Sequence, residues 1–189
     1  MTDAALERLE ELFVRRGAEA YLGEPVSVAQ HMLQCADLAV QAGAPDELVA
    51  AALLHDVGHL TGPLGEYTED DTFDRRHELA GAETLAAAFP AAVVEAVRLH
   101  VDAKRYLCAT DPAYLEKLTP ASQHTLSLQG GPMSPAEVAT FEARPHYQAA
   151  VRVRLWDDAG KDAARPALTF ADFRPLLQRL IETQATAAG

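Results

Sequence analysis

Cysteine is nearly absent. Two residues in 189, Cys35 and Cys108, cannot build a disulfide framework and form no Cys-x-x-Cys pair. Both fall in apolar helical stretches, which marks them as core residues rather than metal ligands. No run approaches the roughly 20 apolar residues that a membrane span needs. The N-terminal "MTDAALERLEELF" is acidic and amphipathic, unlike a secretory leader. A reducing cytoplasm is the expected compartment. Aromatic residues make up only 6% of the chain, while Ala and Leu dominate its 49% hydrophobic content, a balance that favours an all-α fold. Basic residues are outnumbered, 16 against 28 acidic, for a net charge of −12. That excludes a general nucleic-acid binder, which needs a basic surface. It leaves room for a small anionic ligand in a local basic pocket.

What is there reads as helix after helix. Leu6, Leu9, Leu12 and Phe13 recur at helical spacing and predict a helix over 3–16. Gly23 and Pro25 interrupt the pattern. Further helices are expected over about 26–42, 46–57, 76–88, 91–107, 111–118 and 146–161. One more starts at Ser134-Pro135, in cap-then-proline order, and a final amphipathic helix covers 169–184. Two loops are expected. Residues 58–74 are polar and long enough to act as a lid, with the acids of 69–71 solvated. Residues 119–135 hold Gly130, Gly131 and several prolines. The length suits a single domain, 1–189, with its core over about 20–161.

Into this pattern are set His31, His55, Asp56, His77, His100 and Asp157. One histidine on an apolar helix face is usually a satisfied core residue. Four, with two carboxylates, are costly to bury unless paired or metal-bound. Joint ligation is the cheaper account. A carboxylate can bridge two cations while each imidazole binds one, so the adjacent His55-Asp56 pair suits the middle of a two-metal site. Ligands without cysteine suit iron, manganese or zinc. They come from five segments, so the helices must point inward at one spot. Lys104 lies four residues after His100, and Arg154 three before Asp157, each pair on one helical face. Cations beside a metal site imply an anion between them. Each has a plainer reading: Lys104 as a snorkelling surface residue, Arg154 as a partner of Asp158. Tyr21 reads as an ordinary packed aromatic, and Ser122 and Thr125 as loop hydroxyls. His124 and His146 read as surface residues.

The order His…His-Asp…His…His…Asp resembles the HD-domain superfamily, in the subset that binds two metals. "YLGEPVSVAQHMLQCADLA", "HDVGH", "HVDAK", "SQHTLSLQGGPMS" and "RLWDDAGK" narrow the resemblance. They are similar to HD-domain mixed-valent di-iron oxygenases that cleave the carbon–phosphorus bond of 1-hydroxyphosphonates. The resemblance implies a helical bundle around an inward-facing dinuclear centre. It implies two iron ions, Fe(II)/Fe(III), and O2 as co-substrate. His31, His55, Asp56 and Asp157 would hold one iron; Asp56, His77 and His100 would hold the other. The Arg-Leu-Trp-Asp spacing selects Asp157 over Asp158. Tyr21 would cap the substrate-binding iron, and Glu24 would move with it and meet an amino or ammonium group. His59, Lys104, Ser122, Thr125 and Arg154 would hold the phosphonate. Tyr67 and Phe73 could add aromatic contacts to a quaternary ammonium. The runner-up activity is an HD-type phosphohydrolase acting on a nucleotide or another phosphate monoester. The sequence does not define the oligomeric state.

Overall fold

A computed structural model describes residues 2–62, 67–68, 70–166 and 168–187. Eleven helices form among them: α1 (Thr2–Arg16), α2 (Val28–Gln41), α3 (Asp46–Leu54), α4 (Val57–Thr61), α5 (His77–Leu85), α6 (Ala91–Thr110), α7 (Pro112–Lys117), α8 (Pro120–Leu128), α9 (Pro135–Glu142), α10 (Tyr147–Ala159) and α11 (Phe170–Ala187). No strand forms among the described residues. An isolated antiparallel bridge, Ala20 to Ser27, closes the turn that carries Tyr21 and Glu24. No helix among them is long and apolar enough to cross a membrane.

The caps set the helix starts. Ser27 and Gln30 form a reciprocal capping box at α2, and Ser134 and Glu137 form another at α9. α3 packs against α2, α6 and α10, α10 packs against α6 and α2, and α5 lies on α6 and α4. α1 and α11 cover the far side, where the Phe13 and Phe170 rings meet at 5.0 Å. Beyond its acidic first turn, α3 is buried from Leu48 to Leu54, which explains its run of Leu, Val and Ala.

Three expectations require correction. The helix expected to run to Val57 stops at Leu54, and α4 starts at Val57, so the segment beginning at Gly58 is not loop from its start. Asp56 sits at φ −99°, ψ 11°, outside helical geometry, and turns the chain there. The apolar Val57 and Leu60 then bury the short α4. The stretch expected as loop after Thr119 is α8. Its Thr119 cap and Pro120 repeat the signal that was read at Ser134-Pro135. Asp71 is not a solvated acid. It accepts from the Thr68 amide at 2.8 Å and pairs with Arg75 at 2.7 Å. Residues 63–66 and Glu69, also assigned to that loop, lie outside the described residues.

Candidate metal centre

The break between α3 and α4 makes the centre. It turns His55 and Asp56 inward from a buried helix end, where they meet His31 from α2, His77 from the start of α5, His100 from α6 and Asp157 from α10. All six are buried. The two oxygens of Asp56 face different ways. Oδ2 lies 3.3 Å from His55 Nε2 and 3.6 Å from His31 Nε2. Oδ1 lies 3.2 Å from His77 Nε2 and 3.4 Å from His100 Nε2. Asp157 joins the first group, its Oδ1 3.3 Å from His31 Nε2. Within the groups, Nε2 meets Nε2 at 3.2 Å (His31, His55) and 3.0 Å (His77, His100).

Backbone carbonyls orient three of the imidazoles. Nδ1 of His31, His55 and His100 lies 2.9, 2.9 and 2.7 Å from the carbonyls of Gly160, Ala52 and Val97. Those contacts put the ring proton on Nδ1 and aim Nε2 lone pairs at the centre. Asp157 Oδ1 is buried with no hydrogen-bond donor. Burial, reinforced by His59, pushes His77 well below the usual imidazole range; burial also lowers His100. Burial opposes protonation of His55 as well, but Asp56 and Asp157 outweigh it and raise that ring to about 9. Buried lone pairs crowded this closely need positive charge among them, and two divalent or trivalent cations fit the two groups. His77 differs from the other rings. Its buried Nδ1 has no partner, and the nearby Glu78 Oε2, 3.8 Å away, has none either.

Cys35 lies beside His31, with Sγ 3.8 Å from its ring nitrogens. Burial first, then Asp157 and Asp56, push its thiol well above the usual range, and Sγ–H donates to the Trp156 carbonyl at 3.4 Å. It packs as a thiol. Gly160 is required here because a Cβ would stand 2.5 Å from that sulfur.

One side of the centre opens into a small cavity of about 40 Å³. Tyr21 reaches over it, donating to Asp56 Oδ2 at 3.0 Å and stacking on His31 at 4.2 Å. His59 stacks on His77 at 4.0 Å and faces Asp56 Oδ1 at 3.9 Å. Lys104 is buried, not snorkelling, and its Nζ donates to Thr125 Oγ1 at 2.9 Å. Burial, then the Arg154 charge, lowers its ammonium to about 7. Ser122 and Thr125 line the cavity from α8 rather than from a loop. Arg154 lines it too, but its guanidinium is already engaged. It donates to Asp157 Oδ2 at 2.6 Å and to the Tyr114 hydroxyl at 2.9 Å, and it pairs with Asp158. Its plainer reading therefore describes its bonds, and Asp158 stands outside the centre.

Tyr67 lines the cavity with its edge toward His59 and His77, whereas Phe73 is half exposed and does not. His146 is exposed; His124 is half-buried with no partner for Nε2. Sequence reasoning missed two polar lining residues, Gln129 and Lys161. Gln129 Oε1 is buried without a donor and carried no sequence signal. Lys161 lies four residues after Asp157 but beyond the end of α10, where helical spacing no longer applies.

The HD domain family matches residues 28–138. The "[1-hydroxy-2-(trimethylamino)ethyl]phosphonate dioxygenase (glycine-betaine-forming)" of Leisingera caerulea is 50% identical over 177 residues, covering 94% of this chain and 90% of that protein. The hydroxymethylphosphonate dioxygenase of Gimesia maris is 42% identical over 160 residues, covering 82% and 79%. Matched by the family over more than half its length, and by a dioxygenase over nearly all of it, the chain belongs to the HD-domain family and, within it, to the phosphonate dioxygenases.

Proposed function

We propose that the chain is an iron- and O2-dependent oxygenase that cleaves the carbon–phosphorus bond of a 1-hydroxyalkylphosphonate bearing a 2-amino or 2-ammonio group. The products are phosphate and a carboxylic acid. The observation that carries the reading is Asp56, with one oxygen toward each of two buried imidazole groups, beside a cavity lined by Lys104 and Lys161. His31, His55, Asp56 and Asp157 would hold one iron, and Asp56, His77 and His100 the other. The mixed-valent pair supplies the redox chemistry with O2 and a Lewis-acid site for the substrate's hydroxyl and phosphonate oxygens.

The chain's own groups do the rest. The Lys104 ammonium and the Ser122 and Thr125 hydroxyls take the phosphonate at one end. His59, held against His77, supplies a ring nitrogen toward the same anion. Arg154 keeps Asp157 aimed inward. Tyr21 holds Asp56 Oδ2 and covers the centre, so substrate must move it aside. Burial of Asp56, Lys104, Arg154 and Asp157 strengthens each charge interaction. The anionic phosphonate, not nucleic acid, is the partner of this acidic chain, and two free thiols suit the cytoplasm.

A metal-dependent phosphohydrolase could use the same ligands, but it has no need for a tyrosine held over the centre. Iron-loaded protein reduced with ascorbate should release phosphate from 1-hydroxy-2-(trimethylamino)ethylphosphonate with matching O2 uptake. Phosphate release from monoesters without O2, and none from the phosphonate, would overturn the reading.

A further inference from the structure

Glu24 is not waiting open for a substrate cation. Its Oε1 accepts from Lys161 Nζ at 2.9 Å and from Thr119 Oγ1 at 2.8 Å. The two charged side chains are only 7% and 10% exposed. The same Nζ lies 5.7 Å from the centre of the Tyr21 ring and 3.3 Å from Ser122 Oγ. A carboxylate beside an aromatic face is the arrangement that recognises an organic ammonium. Here the chain's own ammonium occupies it.

We propose that Lys161 is a specificity-determining residue: it fills the organic-cation site formed by Glu24 and Tyr21, and a substrate's ammonium must displace it. This deepens, and rests on, the reading of the chain as a hydroxyphosphonate oxygenase. The physical argument is competition. While Lys161 neutralises Glu24, the pocket end presents no net negative charge to an incoming cation. A phosphonate without a cation leaves the pair undisturbed. One with a trimethylammonio group must break a nearly buried ion pair before it gains the carboxylate, so part of its recognition energy is consumed. Displacement also loosens the turn that carries Tyr21, because Glu24 ties that turn to Lys161 and to the α8 cap at Thr119. The ammonium end of a substrate thereby helps lift the tyrosine from Asp56, which a substrate lacking the ammonium does not do.

The test is Lys161→Met, which keeps the stem and removes the charge, with Lys161→Gln as a second variant should the first fail to fold. Hydroxymethylphosphonate and 1-hydroxy-2-(trimethylamino)ethylphosphonate are compared by KM on iron-loaded enzyme. Either variant should shift the ratio of KM values about tenfold toward the trimethylammonio substrate. Tetramethylammonium, titrated by calorimetry, should bind the variants and not the parent. Equal changes in both KM values, with no tetramethylammonium binding to a folded variant, overturn the proposal. If the parent turns over neither phosphonate, the oxygenase reading fails, while the tetramethylammonium titration still decides whether Lys161 occupies a cation site.

Discussion

At the scale of single residues, the centre gathers buried imidazoles and carboxylates, and the pocket beside it holds a buried lysine. Lys104 shows the consequence. Its ordinary value is 10.5, and burial with Arg154 lowers it to about 7. The folded value lies below the unfolded one, so in the ligand-free protein its charged form destabilises the fold. That penalty falls away as pH rises from about 7 toward 10.5. An anion needs the charged form, so phosphonate affinity should fall above pH 7, approaching roughly tenfold per pH unit. Lys104→Met should cost about 10- to 100-fold in kcat/KM at pH 6.5 and much less at pH 9. A flat pH profile for both proteins would remove Lys104 from the anion site. Tyr21→Phe deletes the hydroxyl that donates to Asp56. We expect it to keep both metals, counted by elemental analysis, but to change the metal spectrum of the substrate-free protein. An unchanged spectrum would mean that the tyrosine covers nothing. The ligand-type residues were legible because four imidazoles on apolar faces have no cheaper explanation. Lys161 was not, because a lone lysine in a connecting segment looks like any solvated charge.

At the scale of elements, the centre depends on how α4 sits on α5. Gly58 allows it: a Cβ there would stand 1.9 Å from the His77 carbonyl oxygen and 2.9 Å from the Gly81 amide nitrogen. Backbone cannot yield as a side-chain tip can. Gly58→Ala should therefore cost about 3 kcal/mol, lower Tm by roughly 10 °C, and displace His77 so that one metal is lost before the other. Parent-like Tm with two metals bound would show that the approach has slack. The helix periodicity on the apolar faces of α2 and α6 was readable because it serves burial. The break at Asp56 was not, since "LLHDV" continues the helical pattern to Val57 and only the inward turn of two ligands interrupts it. α8 was hidden by its flanking prolines and glycines, although Thr119-Pro120 is a start signal.

At the scale of the molecule, an acidic chain encloses a buried cluster of four imidazoles and two carboxylates that could hold metal ions, and charge composition described the first without locating the second. Asp56, Asp157 and four imidazoles converge from α2, the α3–α4 break, α5, α6 and α10, so the metals would clamp much of the bundle together. Removing them with a chelator should lower Tm by roughly 10 °C, recovered on adding Fe(II). No change in Tm would mean that the helices hold the ligands without help. The most direct measurement is low-temperature EPR on iron-loaded protein poised with ascorbate, with and without 1-hydroxy-2-(trimethylamino)ethylphosphonate. We expect a mixed-valent di-iron signal that changes when the phosphonate is added. Protein that carries both irons yet shows no mixed-valent signal under either condition would contradict a di-iron oxygenase.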